Sequence, residues 1–492
     1  MHSSVVAGID VATAAVRVLC VDARGTVVAE GRAALPPPVR GADGRSEQDA
    51  TCWWPATAEA LRQATAALPA RGAEVRAVAV SATSGTLVLT DADGTPLGPA
   101  AMYDDRRAAD HNARAQRVGA DRWRALGLTV GPTAALGRVA RYAQEWAGDP
   151  RAARIAHTPD LLGRELTGVP VAADWSHALK TGYDPRAEEW PTEVLDALGV
   201  PPHWLPPVRP PGTCVGTVSA AAAARTGLPA GCGVRLGMTD GCAGQLATGA
   251  VSPGQFVGIL GTTYVLKGVT RDLVTDPAGA LYSHRHPDGW WLPGGASNTG
   301  GEALAHRDGT DLAALDEAAA GRGPASCVSY PLRRAGERFP FVAGDARGFT
   351  LGVPTDDADR HRADLEGVAF LERLALDRMR ALGVPVSAPL HTAGGGSRSA
   401  LWTRIRATAL GIPLRVAPRA ETALGAALLA AAGTLHPTLE AAAHAMTPAG
   451  RTVDPDPAEK AALDDSYTRF TEALTARGYL TAASLDGHAT LG

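Results

Sequence analysis

Two similar segments predict the fold of the chain: residues 5–14, VVAGIDVATA, and residues 254–263, GQFVGILGTT. Each begins as an apolar run of strand length and ends in a turn of small residues that includes threonine. The segments that follow, residues 15–21 and 264–269, have the pattern of return strands. Two such hairpins about 250 residues apart predict two copies of one domain type.

The segments around the hairpins indicate an α/β half on each side of a boundary near residue 248. Between residues 46 and 68, Trp54, Ala58 and Leu61 fall on one helical face. The other predicted elements are strands at 26–30, 75–80, 87–90, 234–238 and 390–393, and helices at 242–247, 400–410 and 452–479. The predicted domains are therefore residues 1–248 and residues 249–492.

The composition excludes several classes of protein. At 492 residues, 45% hydrophobic and 20% charged, the chain has the make-up of a globular protein of roughly two to four domains. A formal net charge of −4 argues against the basic face that a nucleic-acid partner needs. The lysines are Lys180, Lys267 and Lys460, and none lies in a Walker A motif. The sequence lacks H-E-x-x-H and G-x-S-x-G motifs, which argues against zinc hydrolases and serine hydrolases.

Cysteine use and hydropathy predict a cytoplasmic protein with no membrane partner. The six cysteines form no C-x-x-C pair, so we expect free thiols instead of a zinc ribbon or a redox motif. The first residues lead directly into a strand and lack the basic and apolar regions of a signal peptide. The longest apolar run, residues 423–432, is too short to cross a bilayer.

The two hairpin turns are candidate phosphate sites. A tight turn presents backbone N–H groups and threonine hydroxyls at its tip, which makes an anion cradle without a lysine. Thr13 in the first turn, and Gly261, Thr262 and Thr263 in the second, are the candidates for binding nucleotide phosphates. The alternative is that both are plain hairpin turns.

Two aspartates stand at the ends of predicted strands. Asp10 ends the first strand, where its carboxylate could hold Mg²⁺ directly or through water; alternatively, it bonds its own backbone in the turn. Asp240 follows the strand at 234–238, at the strand end where α/β sheets bind ligands. It could accept a proton from a substrate hydroxyl, or it could simply cap the helix that follows.

A run of three glycines, Gly394, Gly395 and Gly396, lies between a predicted strand and a predicted helix. Glycines let a backbone approach a flat ligand or a phosphate closely. The run does not have the G-x-G-x-x-G spacing of a dinucleotide site. The alternative is a simple strand-to-helix turn.

These motifs together resemble those of the FGGY carbohydrate kinases, in the actin-like ATPase superfamily, from about residue 8 to residue 433. Gly8-Ile9-Asp10 with Thr13 resembles the first phosphate motif of that family, and Gly261-Thr262-Thr263 is similar to the second. Thr239-Asp240-Gly241 looks like its catalytic aspartate motif. The other stretches that resemble the family are residues 46–54, 84–86, 103–108, 394–402 and 421–427.

The resemblance implies a fold and a set of site residues. The fold is α/β, with two RNase H-like domains flanking a central catalytic cleft, the first binding the sugar and the second the nucleotide. Asp10, Ser84 and Asp240 are implied to bind the sugar, with Asp240 as catalytic base and Asp10 also holding Mg²⁺. The residues implied to bind ATP are Thr13, Gly261, Thr262, Gly301, Gly394, Gly395, Gly396 and Ala423.

Four strings narrow the resemblance further. Residues 282–285, 294–301, 330–332 and 336–340 are similar to the D-ribulokinases of cyanobacteria and plant plastids. The predicted function is therefore ATP-dependent phosphorylation of D-ribulose to D-ribulose 5-phosphate, by a monomer or a homodimer. The alternatives are a D-xylulose kinase of the same family and a catalytically weak actin-like ATP-binding protein with a regulatory role.

The sequence departs from the family pattern at three positions. In the first phosphate motif, Ala12 replaces a glycine and Ala14 replaces a hydroxyl residue; in the adenosine region, Ser399 replaces an asparagine. If the glycine normally has a positive φ, alanine would cost about 1 kcal/mol in the turn. The missing hydroxyl at position 14 would remove one hydrogen bond to a phosphate.

Overall fold

Packing divides the chain into two compact units. The structure is a computed structural model that describes residues 4–69, 72, 74–307 and 311–480. The first unit comprises the described parts of Met1–Val251 together with His284–Trp290 and Ala420–Pro448. The second comprises the described parts of Ser252–Ser283, Trp291–Arg419 and Ala449–Gly492.

The elements up to residue 251 all belong to the first unit. The strands β1–β13 are Val5–Val11, Ala15–Asp22, Val27–Ala34, Val39–Arg40, Ser46–Gln48, Val75–Ala82, Leu87–Thr90, Ala100–Ala101, Arg154–His157, Ala173–Asp174, Val208–Arg209, Cys214–Thr217 and Gly233–Thr239. The helices α1–α9 are Trp53–Ala67, Ala109–Val118, Ala120–Leu126, Ala135–Glu145, Thr158–Thr167, Trp175–Lys180, Thr192–Leu198, Ala220–Thr226 and Asp240–Leu246.

The remaining elements follow in chain order, and two of their helices, α13 and α14, belong to the first unit. The strands β14–β22 are Phe256–Leu260, Tyr264–Gly268, Tyr282–Arg285, Trp291–Ala296, Val328–Tyr330, Phe349–Leu351, Leu390–Ala393, Leu414–Val416 and Arg451–Val453. The helices α10–α15 are Leu312–Ala320, Asp357–Ala381, Ala400–Leu410, Thr422–Ala431, Leu439–Met446 and Pro457–Ala476. Short 3₁₀ helices lie at Ala50–Cys52, Pro202–Trp204, Gly301–Arg307 and Gly395–Arg398.

Each unit is built on a sheet with the same pairing pattern. In the first unit the order β3-β2-β1-β6-β13-β12 gives two antiparallel, two parallel and one antiparallel pair. In the second, β17-β15-β14-β20-β21-β22 repeats that series of pairs. The prediction of an α/β fold with two copies of one domain type is confirmed.

Helix α13 packs on the first sheet at a glycine. A Cβ placed on Gly8 would lie 1.9 Å from the Ala423 carbonyl oxygen and 2.4 Å from the Ala427 nitrogen, so only glycine allows this approach. A Cβ on Gly425, on the helix itself, would lie 1.9 Å from the Ala243 oxygen of α9. These contacts explain why Ala420–Pro448, late in the chain, belongs to the first unit.

Each unit has its own apolar core. The first is filled by side chains from β1, β2, β6 and α1, including Ile9, Trp53 and Val78. The second includes Phe256, Phe370 and Phe470.

All six cysteines are free thiols, as predicted. Within the described ranges, no helix is both long and apolar enough to cross a membrane.

Two segment predictions need correction. The first strand, expected to end at Asp10, continues through Val11, which pairs with Val16 across the hairpin. The helical tail predicted at 452–479 begins only at Pro457, whose fixed φ suits a first helical position. The residues before it, Arg451–Val453, form an edge strand that pairs with β21.

Candidate active site

The first site lies at the carboxyl edge of the first sheet. Strands β1, β6 and β13 run parallel, and Val11 and Thr239 both pair with Ala82 of the central strand β6. Asp10 and Asp240 therefore flank the end of β6. Ser84 follows two residues after that strand ends. All three predicted sugar-site residues thus lie at the sheet edge where open α/β sheets bind ligands.

Asp10 is the electrostatically strained member of this group. Burial, and secondarily the neighbouring Asp240 carboxylate, raises the pKa of Asp10 to about 6. Two close carboxylates disfavour double ionisation unless a cation or a hydrogen-bond donor lies between them. The pair is therefore suited to bind a ligand rich in hydroxyls or a divalent ion.

Asp240 begins helix α9 but does not cap it. The N-cap is Thr239, with φ −57° and ψ 147°, and Asp240 is the first helical residue. A capping side chain accepts from the second or third helical N–H, whereas Asp240 Oδ1 accepts from the adjacent Gly241 N–H at 2.7 Å. The capping alternative is therefore wrong, and the half-buried carboxylate is left available for chemistry.

A buried hydrogen-bond network holds the strand end that carries Asp240. Thr239 N–H donates to Ser176 Oγ at 2.8 Å, and Ser176 Oγ–H donates to Asp174 at 2.6 Å. Asp174 also accepts from His177 Nδ1 at 2.5 Å. Burial disfavours the charged imidazole, but the Asp174 carboxylate outweighs this and raises the pKa of His177, with Asp240 adding to the effect.

Sequence reasoning missed Asp174, Ser176 and His177. The available signal was an aspartate before a short helical run, because Asp174 is the N-cap of α6 and accepts from Ser176 N–H and His177 N–H. Nothing in the sequence indicated that α6 would lie against β13.

The loop with Ser84 is held by a buried arginine. Arg138 is 2% exposed, and its guanidinium donates to the carbonyl oxygens of Gly85 at 2.7 Å and Met102 at 2.9 Å. It therefore joins the Ser84–Gly85 loop to the segment that begins at Met102. Among the described residues, the buried Ser84 Oγ has no hydrogen-bond partner, which suits a ligand-binding hydroxyl.

The first hairpin turn is supported from behind. Gln48 Nε2 donates to the Thr13 carbonyl oxygen at 3.0 Å, while Gln48 Oε1 accepts from Trp53 Nε1 at 2.8 Å. Among the described non-glycine residues, only Glu188 has a positive φ. The strain expected from alanine at position 12 is therefore absent from the described turn.

The second site lies at the carboxyl edge of the second sheet. Gly261, Thr262 and Thr263 follow β14, and Gly394 follows the parallel neighbour β20. Gly301 N–H donates to the Gly261 carbonyl oxygen at 2.8 Å. The predicted phosphate turn, Gly301 and the glycine run thus meet within one unit.

Close contacts with Leu260 require glycine at two of the three positions of the glycine run, 394 and 396. Gly394 has φ +92°, and a Cβ there would lie 2.4 Å from the Leu260 oxygen. A Cβ on Gly396 would lie 2.5 Å from Leu260 Cδ2, whereas Gly395 is exposed. Ser399 is the N-cap of α12 and accepts from Trp402 N–H at 3.0 Å, a role that serine fills as well as asparagine.

Ala423, predicted to bind the nucleotide, belongs to a different unit from the glycine run. It is buried in α13 of the first unit, against Gly8 of β1, whereas Gly394–Gly396 belong to the second unit. Its local role is therefore packing of the helix on the first sheet.

Comparison with known proteins identifies the family. Residues 5–247 match the N-terminal domain of the FGGY family of carbohydrate kinases, and residues 254–434 match its C-terminal domain. The chain belongs to the FGGY family of carbohydrate kinases. FGGY kinases use ATP as the phosphate donor, so the substrates of this kinase are ATP and a small sugar or related molecule.

Relatives of this FGGY kinase act on different substrates. A xylulose kinase of Streptomyces rubiginosus is 33% identical over 442 residues, covering 87% of both chains. An autoinducer-2 kinase of Klebsiella pneumoniae is 30% identical, covering 86% of this chain and 85% of the relative. The crystal structure of a xylulose kinase from Rhodospirillum rubrum superposes with a TM-score of 0.86 at 26% identity, over 96% of this chain and 99% of that one. The narrower resemblance to D-ribulokinases finds no support in these relatives.

The magnesium prediction for this FGGY kinase depends on the carboxylate pair. Among the described residues, no group of three or more His, Cys, Asp or Glu side chains could hold a metal ion. Mg²⁺ in phosphoryl-transfer sites commonly takes one or two carboxylates, with phosphate oxygens and waters completing its shell. Asp10 beside Asp240 is compatible with that partial donor set.

Proposed function

We propose that this FGGY kinase transfers the γ-phosphate of ATP to a hydroxyl of a ketopentose, and that D-xylulose is a better substrate than D-ribulose. The observation that carries the proposal is the Asp10–Asp240 pair at the carboxyl edge of the first sheet, in a chain whose two halves match the two FGGY domains.

In this proposal Asp240 is the general base. The oxygen of the attacking sugar hydroxyl forms a bond to the γ-phosphorus, and its proton passes to the Asp240 carboxylate. The bond between the γ-phosphorus and the oxygen that bridges to the β-phosphate breaks, and ADP leaves with that oxygen. The two hydrogen bonds behind Thr239 hold the base in place while it receives the proton. Asp10 and Ser84 bind the sugar at the same sheet edge.

The phosphates of ATP are assigned to the hairpin turns. Thr262 is exposed and Thr13 half-buried at their respective tips, and both offer a hydroxyl for a phosphate oxygen. The glycine run Gly394–Gly396 provides a side-chain-free surface for the rest of the nucleotide. Asp10 would hold Mg²⁺, which when bound neutralises phosphate charge.

The choice of D-xylulose is supported by relatives named xylulose kinases among both sequences and solved structures. D-ribulose, an epimer, is the second candidate, on the basis of the strings at 282–301 and 330–340. Autoinducer-2 is the third candidate substrate, because a relative that is 30% identical to this chain is named an autoinducer-2 kinase.

The test is a coupled assay of ADP release over D-xylulose, D-ribulose, L-ribulose, glycerol, gluconate and autoinducer-2. We expect a kcat/KM for D-xylulose at least about tenfold above that for each other compound, which corresponds to about 1.4 kcal/mol of transition-state binding. A tenfold preference for another compound would reassign the substrate. ADP release that no compound stimulates would remove the kinase function itself and favour a weak ATP-binding protein.

A further inference from the structure

Glu337 is a buried carboxylate at the centre of a hydrogen-bond cluster in the second unit. Glu337 is 3% exposed, and its backbone pairs with that of Ala343 in an antiparallel bridge. It lies within residues 336–340, which form no part of the two candidate sites described above.

Five neutral groups donate to this one side chain. Oε1 accepts from Asn298 N–H at 2.6 Å and from Arg338 N–H at 3.0 Å. Oε2 accepts from Ser297 Oγ at 2.9 Å, Thr299 Oγ1 at 3.0 Å and the Tyr330 hydroxyl at 3.0 Å. Burial and the Glu337 charge raise the pKa of Tyr330, so the phenol keeps the proton that it donates.

Three of the donors, Ser297, Asn298 and Thr299, belong to one segment, which lies directly against the second hairpin. Ser297 N–H donates to the Tyr264 oxygen at 2.8 Å, and Tyr264 N–H donates to the Thr299 oxygen at 2.9 Å. The segment therefore continues the hydrogen bonding of the hairpin.

The same segment then reaches the phosphate turn itself. Gly301 N–H donates to the Gly261 oxygen at 2.8 Å, and Glu302 N–H donates to the Thr262 oxygen at 2.9 Å. A Cβ on Gly300 would lie 2.4 Å from the Thr263 carbonyl carbon, so the two backbones are in close contact. The orientation of Gly261 and Thr262 thus depends on segment 297–302.

We propose that Glu337 is a positioning residue that fixes segment 297–302 and, through it, the turn Gly261–Thr263 in the orientation that binds the phosphates of ATP. This inference rests on the proposed function of that turn. Charge-assisted hydrogen bonds from five donors to one carboxylate hold the loop before the nucleotide arrives, so that binding does not have to order it. Glu337 itself does not touch the nucleotide.

The test compares Glu337→Gln with Asp359→Asn in the full chain. Asp359 is a matched control because it is also buried, in the same unit, and accepts from the backbone N–H and hydroxyl groups of Ser326 and Thr355. Both variants keep the side-chain shape and remove the charge. Calorimetric binding of ATP and ADP is measured without sugar, and KM values are then measured for ATP and for the best sugar.

Glu337→Gln is expected to raise the Kd and KM for ATP about tenfold, while the sugar KM stays within about twofold. Asp359→Asn is expected to leave the Kd for ATP unchanged. Equal ATP affinity in folded Glu337→Gln and wild type, or an equal loss in both variants, overturns the inference while leaving the proposed function intact. A wild-type protein that does not bind ATP removes both.

A milder variant decides the case in which Glu337→Gln fails to fold. Tyr330→Phe deletes one of the five donors and keeps the aromatic ring in the core. It is expected to raise the Kd for ATP about threefold, with an unchanged sugar KM. An unchanged Kd for ATP in folded Tyr330→Phe, together with an unfolded Glu337→Gln, means that Glu337 serves stability alone and contradicts the inference.

Discussion

Asp10 is placed where its charge destabilises the folded protein. Its pKa rises from 3.8 to about 6 on folding, mainly through burial and then through Asp240, so the folded state binds the proton more tightly than the unfolded state. The resulting penalty is absent at low pH, where both states are protonated. It grows as the pH rises from about 4 to about 6 and is complete above that range.

Asp10→Asn should therefore stabilise the ligand-free protein at pH 8 by about 3 kcal/mol, because the pKa of Asp10 rises from 3.8 to about 6 on folding and each pKa unit corresponds to about 1.4 kcal/mol. The gain should fade as the pH is lowered toward 4. Urea unfolding at pH 8 and at pH 4.5, without nucleotide or magnesium, measures both values. An Asp10→Asn protein no more stable than wild type at pH 8 would show that the carboxylate is not strained.

Asp240 is the residue whose loss should stop the chemistry without unfolding the protein. Asp240→Asn keeps the bond from Gly241 N–H through the amide oxygen, but the amide cannot accept a proton. We expect kcat to fall at least about a hundredfold, the low end of the range for general-base catalysis, with little change in the Kd for ATP. Steady-state kinetics and nucleotide calorimetry check this. A near-normal kcat would exclude Asp240 as the base and turn attention to Asp10.

At the scale of elements, the position of Asp240 depends on contact between α6 and β13. Ser176→Ala removes the acceptor for Thr239 N–H and leaves a buried donor unpaired. We expect kcat to fall about tenfold, since the base is displaced and not removed, with the KM for ATP unchanged. The matched control is Ser219→Ala, which deletes the N-cap of α8 in the same unit and should lower stability by about 1 kcal/mol without affecting kcat. Equal effects of the two variants on kcat would contradict the positioning role.

For the first hairpin, the structure reverses the expectation that alanine at position 12 strains the turn. Because Ala12 does not have a positive φ, Ala12→Gly relieves no strain and only increases the freedom of the unfolded chain. We expect it to lower stability by about 0.5–1 kcal/mol and to leave the KM for ATP unchanged. Thermal unfolding and ATP titration measure these effects. A lower KM for ATP would restore the view that the alanine weakens the turn.

The sequence predicted the elements whose local pattern is strong. The predictions agree with the structure for both hairpins, the strand Leu390–Ala393 and the helix Ala400–Leu410. These elements are determined locally, by the spacing of apolar residues and by the glycines that mark their ends. Most candidate site residues at the two sheet edges follow from their places at strand ends and in turns, whereas Ser84 and Gly301 follow only from the family resemblance. Ser176, Arg138 and Glu337 were not, because each acts through a partner more than thirty residues away in the chain.

In the molecule as a whole, the repeat of one sheet explains why a single chain has two candidate ligand sites, each at the carboxyl edge of a sheet. The series of strand pairs is the same in both units, so each places a hairpin turn and a parallel strand end at its carboxyl edge. The sequence showed the repeat but not the late segment Ala420–Pro448 in the first unit. That assignment depends on the contact of α13 with Gly8, which no local pattern contains.

The proposed reaction moves the γ-phosphate from ATP to a ketopentose. The direct measurement is transfer of radiolabelled γ-phosphate to D-xylulose and D-ribulose, with the products separated from free phosphate, in wild type and in Asp240→Asn. We expect labelled sugar phosphate from wild type and a loss of at least about a hundredfold in the variant. Release of labelled free phosphate with no labelled sugar, at any tested ketopentose concentration, would contradict it.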